Sequence, residues 1–288
     1  MFNRMRTMGG IAAACGLLAG ASVAAAADIV LFDNGPFITS YGNGPNGSNA
    51  STTETGAVIG ITFNEGLASG SGGPTRIADD FTVSGAPGLG ARLSHMYLYG
   101  FQSNSVTTDV HFTAAYVAIY NDKPSLGGQI IAGDFTTNRI LSNTWTGAYR
   151  FNTTGPTATS TRPITRIDVD MSWAPPLVNG TYWIVFSTRG DTTLSANPNP
   201  NTFLVTPHRA TDNAQQYFQS GWVNLYDVPF VVHALCPADY NASHDVTVGD
   251  IFDFLNGWFA GNALADFNGN GLAVSDIFDF LNTWFAGC

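Results

Sequence analysis

A duplicated segment at the C-terminal end constrains the fold of this chain more than any other feature. The first copy occupies residues 238–261 and the second occupies residues 265–287. Each copy begins with Ala-Asp-aromatic-Asn, contains Asp-Ile-Phe-Asp-Phe-Leu-Asn and ends with Trp-Phe-Ala-Gly, and the Asp-Ile-Phe-Asp segments lie 26 residues apart. Because apolar residues recur at helical spacing in both copies, each copy predicts an oxygen-rich loop followed by an amphipathic helix.

The loop before each helix carries oxygen-bearing residues at alternating positions, as calcium-binding loops do. In the first loop the candidate ligands, at loop positions 1, 3, 5, 7, 9 and 12, are Asp239, Asn241, Ser243, Asp245 (through its backbone carbonyl), Thr247 and Asp250. In the second loop the candidates are Asp266, Asn268, Asn270, Leu272 and Asp276. The pattern predicts two Ca²⁺ sites.

The two loops differ in length and in their sixth residue. The first loop carries His244 where glycine is usual, whereas the second keeps Gly271 but reaches Asp276 one residue early. That deletion must either tighten the second loop or move its final carboxylate, so we expect the second site to be the more distorted. The alternative is a pair of Asx-rich turns before ordinary helices. Charge argues against it, because residues 236–288 hold seven aspartates and no lysine or arginine, and bound cations would offset their repulsion.

Residues 236–288 resemble the dockerin domain, and are most similar to the variant that ends in Gly-Cys on secreted bacterial proteins. The resemblance implies Ca²⁺ binding and docking onto a cohesin-like or other extracellular anchoring protein. Cellulosomal dockerins often carry a Ser-Thr type pair at loop positions 10 and 11, where this chain has Val248-Gly249 and Val274-Ser275. The cellulosomal partner therefore does not carry over. The sequence leaves open whether the aromatic helix faces are all core or are partly exposed for a partner.

The remaining composition indicates an exported protein. Residues 1–27 have a basic start, an apolar stretch and Ala25-Ala26-Ala27, which is typical of a signal peptide cleaved before Asp28. A lipoprotein attached at Cys15 is disfavoured, because few apolar residues precede that cysteine. We expect a secreted or cell-surface location and no transmembrane segment. The net charge of −10 makes nucleic acid an unsuitable partner.

Two cysteines, Cys236 and Cys288, lie at the two ends of the repeated region. In an exported protein this spacing predicts a disulfide between them. The alternative is that the terminal Cys288 is an attachment point in an anchoring signal.

Residues 28–235 predict one large β domain. Short alternating or apolar runs recur between turn residues, and no long helical period occurs, so we predict an antiparallel β-sandwich of jelly-roll type. The Gly/Ser/Asn-rich tract Thr39–Gly56 is expected to be a mobile loop. The predicted strands are Val58–Phe63, Phe81–Val83, Leu93–Phe101, Phe112–Tyr120, Gln129–Ala132, Ile164–Met171, Thr181–Thr188, Phe203–Val205, Trp222–Tyr226 and Val228–His233.

No catalytic motif is found in this domain, and no catalytic residue is assigned. Asp168 and Asp170 share a predicted strand face with Arg166, which favours a solvated ion pair over a pair of catalytic carboxylates. Asp79 falls on the apolar side of its strand, so it requires a backbone partner, a buried partner or a metal. Trp145 and Trp173 are expected in or beside turns, where aromatic rings can stack on sugars, whereas two other tryptophans are expected in the core. Those two are Trp183 and Trp222.

These observations favour a secreted, calcium-binding, dockerin-anchored surface or assembly protein. Its β domain is expected to bind a glycan, such as a polysaccharide, or another extracellular component. A polysaccharide-active enzyme of the glycoside hydrolase type and a purely structural coat component are the alternatives. Two facing carboxylates in a cleft with exposed aromatic rings would favour the enzyme.

Overall fold

The computed structural model of the protein describes residues 28–52, 60–66, 73–109, 111–151, 160–191, 203–204, 213–225 and 227–288. The predicted signal peptide with its cleavage site, Cys15 and the parts of predicted strands that fall in the gaps lie outside the described residues. Within the described part of the chain, none of the helices has the length and apolarity needed to cross a membrane.

The fold is mainly β, and the described residues form two sheets. The strands are β1 (Asp28–Asp33), β2 (Asn49–Thr52), β3 (Ile61–Thr62), β4 (Arg76–Val83), β5 (Leu93–Phe101), β6 (Phe112–Tyr120), β7 (Ile130–Asp134), β8 (Ile140–Phe151), β9 (Pro163–Asp170), β10 (Gly180–Gly190), β11 (Phe203–Leu204), β12 (Gln215–Phe218), β13 (Gly221–Asn224) and β14 (Phe230–Leu235). Two α-helices follow them, α1 (Val248–Phe259) and α2 (Val274–Ala286).

The first sheet has the strand order β1-β14-β5-β9-β8-β2, and β11 pairs with both β3 and β5. The second sheet has the order β13-β12-β4-β10-β6-β7. Neighbouring strands are antiparallel except for β2 and β8, which run parallel. In both strand orders most paired strands are distant from each other in sequence, so the fold depends on long-range pairing rather than on local hairpins.

Both sheets contribute side chains to one cluster of buried apolar residues. Strand β9 illustrates the alternation, because Ile167 and Val169 are buried in that cluster while Arg166 and Asp168 point to the other face. In the second sheet, β4 contributes Phe81 to the same cluster. Each sheet therefore turns one face toward this cluster, as the alternating sequence pattern predicted. In the second sheet the other face of β10 is buried as well, with Trp183 and Val185 in a separate cluster.

Two expectations about irregular structure were wrong in part. Strand β2 lies inside Thr39–Gly56, where a mobile loop was expected, and it buries Ala50 and Ser51. Small polar residues form a strand there because β8 supplies the backbone partners. Trp145, expected in or beside a turn, lies within β8. The first half of that strand is largely exposed, so its sequence lacks the apolar alternation by which strands are recognised.

The two α-helices pack against each other through a small aromatic core. Phe254 of α1 and Phe280 of α2 are fully buried, and their rings stack with centroids 4.2 Å apart at an interplanar angle of 2°. Around them pack Tyr240 and Phe267, one from the loop before each helix. The sequence repeat is therefore matched by a near-symmetric contact between equivalent residues.

The predicted disulfide between Cys236 and Cys288 is confirmed, with the two Cα atoms 5.8 Å apart. Cys236 directly follows β14, so the bond ties the C-terminus to the last strand of the first sheet. Closing a loop of this length stabilises a chain by roughly 4 kcal/mol in the chain-entropy description.

Candidate metal sites and neighbouring surfaces

The aspartates that open the two loops are held by backbone N–H groups from within each loop. The carboxylate of Asp239 accepts hydrogen bonds from the N–H of Ser243, at 3.0 Å, and of His244, at 2.9 Å. The carboxylate of Asp266 accepts one from the N–H of Gly271, at 3.0 Å. Its second oxygen, Oδ1, is buried and has no hydrogen-bond partner among the described residues. A buried carboxylate oxygen without a donor is the kind of atom that a cation satisfies.

The aspartates that close the two loops occupy the same place in both copies. Asp250 accepts hydrogen bonds from the N–H of Asn241, at 3.2 Å, and of Thr247, at 2.8 Å. Asp276 accepts them from the N–H of Asn268, at 3.1 Å, and of Ala273, at 2.7 Å. Both carboxylates are fully buried at the third position of their helices. The helix N-terminus also favours a negative charge at that position.

The deletion in the second loop can now be placed. His244 and Gly271 occupy equivalent positions, since each donates to its opening aspartate, and Thr247 and Ala273 are equivalent as the residues preceding the helices. In the first loop two residues lie between His244 and Thr247, whereas in the second loop one residue lies between Gly271 and Ala273. The shorter loop is therefore tightened between its sixth position and its helix, and its final carboxylate keeps the same hydrogen bonds.

Most of the remaining candidate ligands make hydrogen bonds within their own loop or to the helix that follows it. The side-chain oxygens of Asn241 and Asn268 accept from the N–H two residues later, and their NH₂ groups donate to Asp253 and Asp279. The Ser243 hydroxyl donates to the carbonyl of Asp245, and the Thr247 hydroxyl accepts from Gly249 N–H. Asn270 is exposed, and the exposed Leu272 has only its backbone carbonyl to offer.

The donor set suits a hard cation only if several oxygen types contribute. No group of three or more His, Cys, Asp or Glu side chains able to hold a metal is found among the described residues. Calcium accepts six to eight oxygens, including amide and backbone carbonyl oxygens, so two carboxylates per loop must be supplemented in this way. The residues present fit that requirement in both loops.

Two backbone positions differ in residue type between the loops although their conformation is shared. Ala242 and His244 have left-handed φ values of 58° and 65°. The equivalent positions in the second loop are Gly269 and Gly271, with φ values of 73° and 105°. Since glycine adopts this region without a Cβ clash, the second loop is shorter but less strained at these two positions.

Both loops contact the strand region. Arg92 donates hydrogen bonds to the backbone carbonyls of Asp239 and of Tyr240, the latter at 2.9 Å. The N–H of Gly88 donates to the carbonyl of Phe267 at 3.0 Å. A Cβ atom at Gly88 would lie only 2.0 Å from the Asn268 backbone. The two segments of the chain therefore approach each other too closely there for any residue other than glycine. The candidate calcium loops are thus packed at the junction with the sheets.

The outer faces of the two helices answer the question that the sequence left open. Phe252 and Phe278 are each 62% exposed, and Phe259 and Phe285 are 78% and 77% exposed. Only part of the aromatic stripe is therefore core. The exposed residues, which we name the paired apolar stripes, are Val248, Phe252 and Phe259 on α1 and Val274, Phe278 and Phe285 on α2.

The carboxylates singled out in the sheets have partners of their own. Asp168 is bonded by Arg166, at 2.7 Å, and by the Ser142 hydroxyl, so the predicted ion pair is confirmed. Asp79 is buried and accepts from Asn34 at 2.8 Å and from the N–H of Val228 at 3.1 Å. Burial raises the pKa of Asp79 to about 8, although hydrogen bonds from the backbone N–H groups of Val228 and Asp80 act to lower it.

Three tryptophan expectations can also be compared with the structure. Trp183 is buried, as expected, but Trp222 is only partly buried at the sheet edge. Trp173 is partly buried, with the Arg139 guanidinium 4.1 Å from its ring centroid. Sequence reasoning missed a groove on the first sheet lined by Phe37, Tyr99, Thr144, Trp145, Thr146 and Arg166. No sequence signal groups these residues, because three of them lie on β8, Tyr99 and Arg166 lie on two other strands, and Phe37 lies in the loop after β1.

Comparison with known proteins adds no identity. No protein-family model matches the chain, and no curated protein or solved structure is significantly similar to it.

Proposed function

We propose that this chain is an exported attachment protein. Its two sheets form a β-sandwich of jelly-roll type, and residues 236–288 form a dockerin-like module that binds two Ca²⁺ ions. The module docks onto a cohesin-like or other extracellular anchoring protein. The β-sandwich then presents a binding surface for an extracellular component outside the cell or at its surface.

The hydrogen-bond pattern shared by the two loops carries this proposal. In both loops the opening carboxylate accepts from the N–H of the sixth loop residue and the closing carboxylate from the N–H of the third, despite the deletion in the second loop. Ordinary Asx turns do not require a second aspartate 11 or 10 residues further along the chain, fully buried and bonded back to the N–H groups of the same loop. The unpartnered Oδ1 of Asp266 adds a site that a cation would fill. The ions would supply positive charge to a region that has seven aspartates and no lysine or arginine.

The paired apolar stripes are the docking surface in this proposal. Large exposed aromatic residues are costly in water, and buried aromatic anchors supply much of the energy of protein interfaces. The stripes have matching residues with matching exposure on the two helices. The occupant we assign is therefore a folded extracellular protein with an apolar face, rather than a charged polymer.

The enzyme alternative has less support. A retaining or inverting glycosidase needs two carboxyl groups facing a common space. Asp168 is bound by Arg166 and Ser142, and Asp170 by Ser172, on the partly buried outer face of β9. No observation on the described residues favours this second function.

The attachment proposal is tested in the producing cells. The exported chain should sediment with the cell envelope or extracellular matrix, and EDTA should release it. The double variant Phe252→Ser/Phe278→Ser should be released without EDTA, because both side chains are exposed and contribute to docking rather than to the fold. Leu126→Ser, at a 77% exposed position among the strands, is the matched control and should remain attached. Retention inside the cell, or attachment that neither EDTA nor the double variant affects, would refute the proposal.

A further inference from the structure

We propose that the groove on the first sheet, lined by Phe37, Tyr99, Thr144, Trp145, Thr146 and Arg166, binds a neutral sugar ring. The groove is open to solvent and has a volume of about 320 Å³. Small-molecule sites begin at roughly 300 Å³, so this space suits a saccharide unit and is too small for a folded partner. The inference rests on the proposed function, because it names where the β-sandwich binds its extracellular ligand and the chemical class of that ligand.

The strand register assembles the floor of the groove. Tyr99 on β5 pairs with Arg166 on β9, which in turn pairs with Thr144 on β8. Directly paired residues place their side chains next to each other on one face, so these three form a row across the sheet. The β8–β9 register then breaks between Trp145 and Tyr149. Such an irregularity redirects side chains locally, and here it brings Trp145 to the groove.

The aromatic walls are already formed. The Phe37 ring stacks on the Tyr99 ring, with centroids 4.1 Å apart at an angle of 19°. Trp145 is 41% exposed, and its indole N–H donates to the carbonyl of Ala148 at 3.4 Å, which restrains the ring. Aromatic rings offer an apolar surface, and a pyranose has an apolar C–H face that can lie on it. Restrained rings lose little conformational entropy on binding.

The ion pair of Arg166 and Asp168 supplies hydrogen-bond donors to the groove but carries no net charge. Its Nε and Nη2 atoms donate to Asp168 at 2.7 and 3.1 Å, and its guanidinium lies 4.3 Å from the centroid of the Tyr97 ring. A guanidinium has five N–H donors, so these two bonds leave three. Because Asp168 compensates the positive charge beside the groove, the remaining donors favour sugar hydroxyls over an anion. The groove thus combines the apolar and polar groups that an uncharged saccharide presents together.

Titration of the full-length mature chain tests the inference. The probes are soluble fragments of cellulose, xylan, mannan and chitin, with galacturonan as the anionic saccharide and proline-rich peptides as the other ligand class. At least one neutral fragment should bind and shift tryptophan fluorescence, and Trp145→Ala should weaken binding about tenfold, in line with the loss of one aromatic contact. Phe218→Ala is the matched control, since Phe218 is 39% exposed on the second sheet, and it should bind as the unaltered chain does.

Three results would overturn the inference: no binding of any neutral fragment, tighter binding of galacturonan or a peptide, or equal loss in the Trp145→Ala and Phe218→Ala variants. Each titration is repeated in EDTA, where saccharide binding should persist because the groove lies on the sheet. Saccharide binding without calcium-dependent attachment would contradict the proposed docking alone. Attachment without saccharide binding would contradict this inference alone.

Discussion

At the scale of single residues, glycine decides how closely the second loop approaches the strand region. Gly269 and Gly261 have nearly the same left-handed φ, 73° and 71°. Of these two glycines, only Gly269 is packed against another segment. A Cβ atom at Gly269 would lie 2.8 Å from the Cα of Gly88, whereas a Cβ atom at Gly261 would meet nothing within 4 Å. Substitution of Gly261 therefore tests the cost of the backbone conformation alone, and substitution of Gly269 tests that cost together with the cost of close packing.

Gly261→Ala should lower the free energy of unfolding by about 1 kcal/mol, the cost of placing a Cβ in the left-handed region. Gly269→Ala should lower it by at least about 1 kcal/mol more, because the added atom overlaps backbone that cannot move away freely. Urea unfolding of the two variants, followed by tryptophan fluorescence, measures both. Equal losses would show that the contact between Gly88 and Gly269 does not form.

Asp79 makes stability depend on pH. Burial raises its folded-state pKa from 3.8 to about 8, so between these two values the folded chain keeps a proton that the unfolded chain releases. The Asp79 contribution to stability therefore falls as pH rises from about 4 to 8. Asp79→Asn removes the titration, and the difference in unfolding free energy between variant and parent should shift in favour of the variant across that window. A difference that stays constant with pH would contradict the account.

At the scale of elements, the helices were predictable and several strands were not. Periodic apolar residues identify α1 and α2 because every third or fourth side chain meets the partner helix. The indole N–H of Trp258 donates to the carbonyl of Ala273, and that of Trp284 donates to the carbonyl of Thr247, both at 2.9 Å. The repeat in sequence thus becomes a reciprocal link between each helix and the start of the other.

Strands β2, β8 and β12 escape sequence reasoning for a physical reason. Their side chains are small, polar or half-exposed, so the apolar alternation is weak. In addition, β2 pairs with the distant β8, and β12 pairs with the distant β4. By contrast, β5 and β6 have the predicted bounds, because both are apolar runs flanked by turns.

Two phenylalanines of α1 should respond in opposite ways to truncation. Phe254→Ala should cost about 3–5 kcal/mol, because it removes a fully buried ring from the aromatic core. Phe252→Ala should change stability by no more than about 0.5 kcal/mol, because that ring is 62% exposed. Thermal unfolding of both variants with the disulfide intact is the measurement. Similar losses would place both rings in the core and remove the α1 half of the paired apolar stripes.

At the scale of the whole molecule, the candidate calcium loops lie where the repeats meet the sheets. The disulfide joins the C-terminus to the end of β14, and Arg92 and Gly88 hold the two loops from the strand side. The sequence predicted the repeat, the loops and the disulfide, since each is a local pattern or a pairing of two cysteines. It could not predict the junction or the groove, because their residues become neighbours only through strand pairing.

Calcium binding is the claim on which this account depends most. Calorimetric titration of Ca²⁺ into the metal-free, full-length mature chain should give two bound ions per chain. Asp239→Ala and Asp266→Ala should each remove one ion, because each deletes the carboxylate that opens one loop. Asp122→Ala, at an exposed aspartate among the strands, should leave both. No binding by the parent chain, or the same number of ions bound by the parent and by both loop variants, would contradict the account.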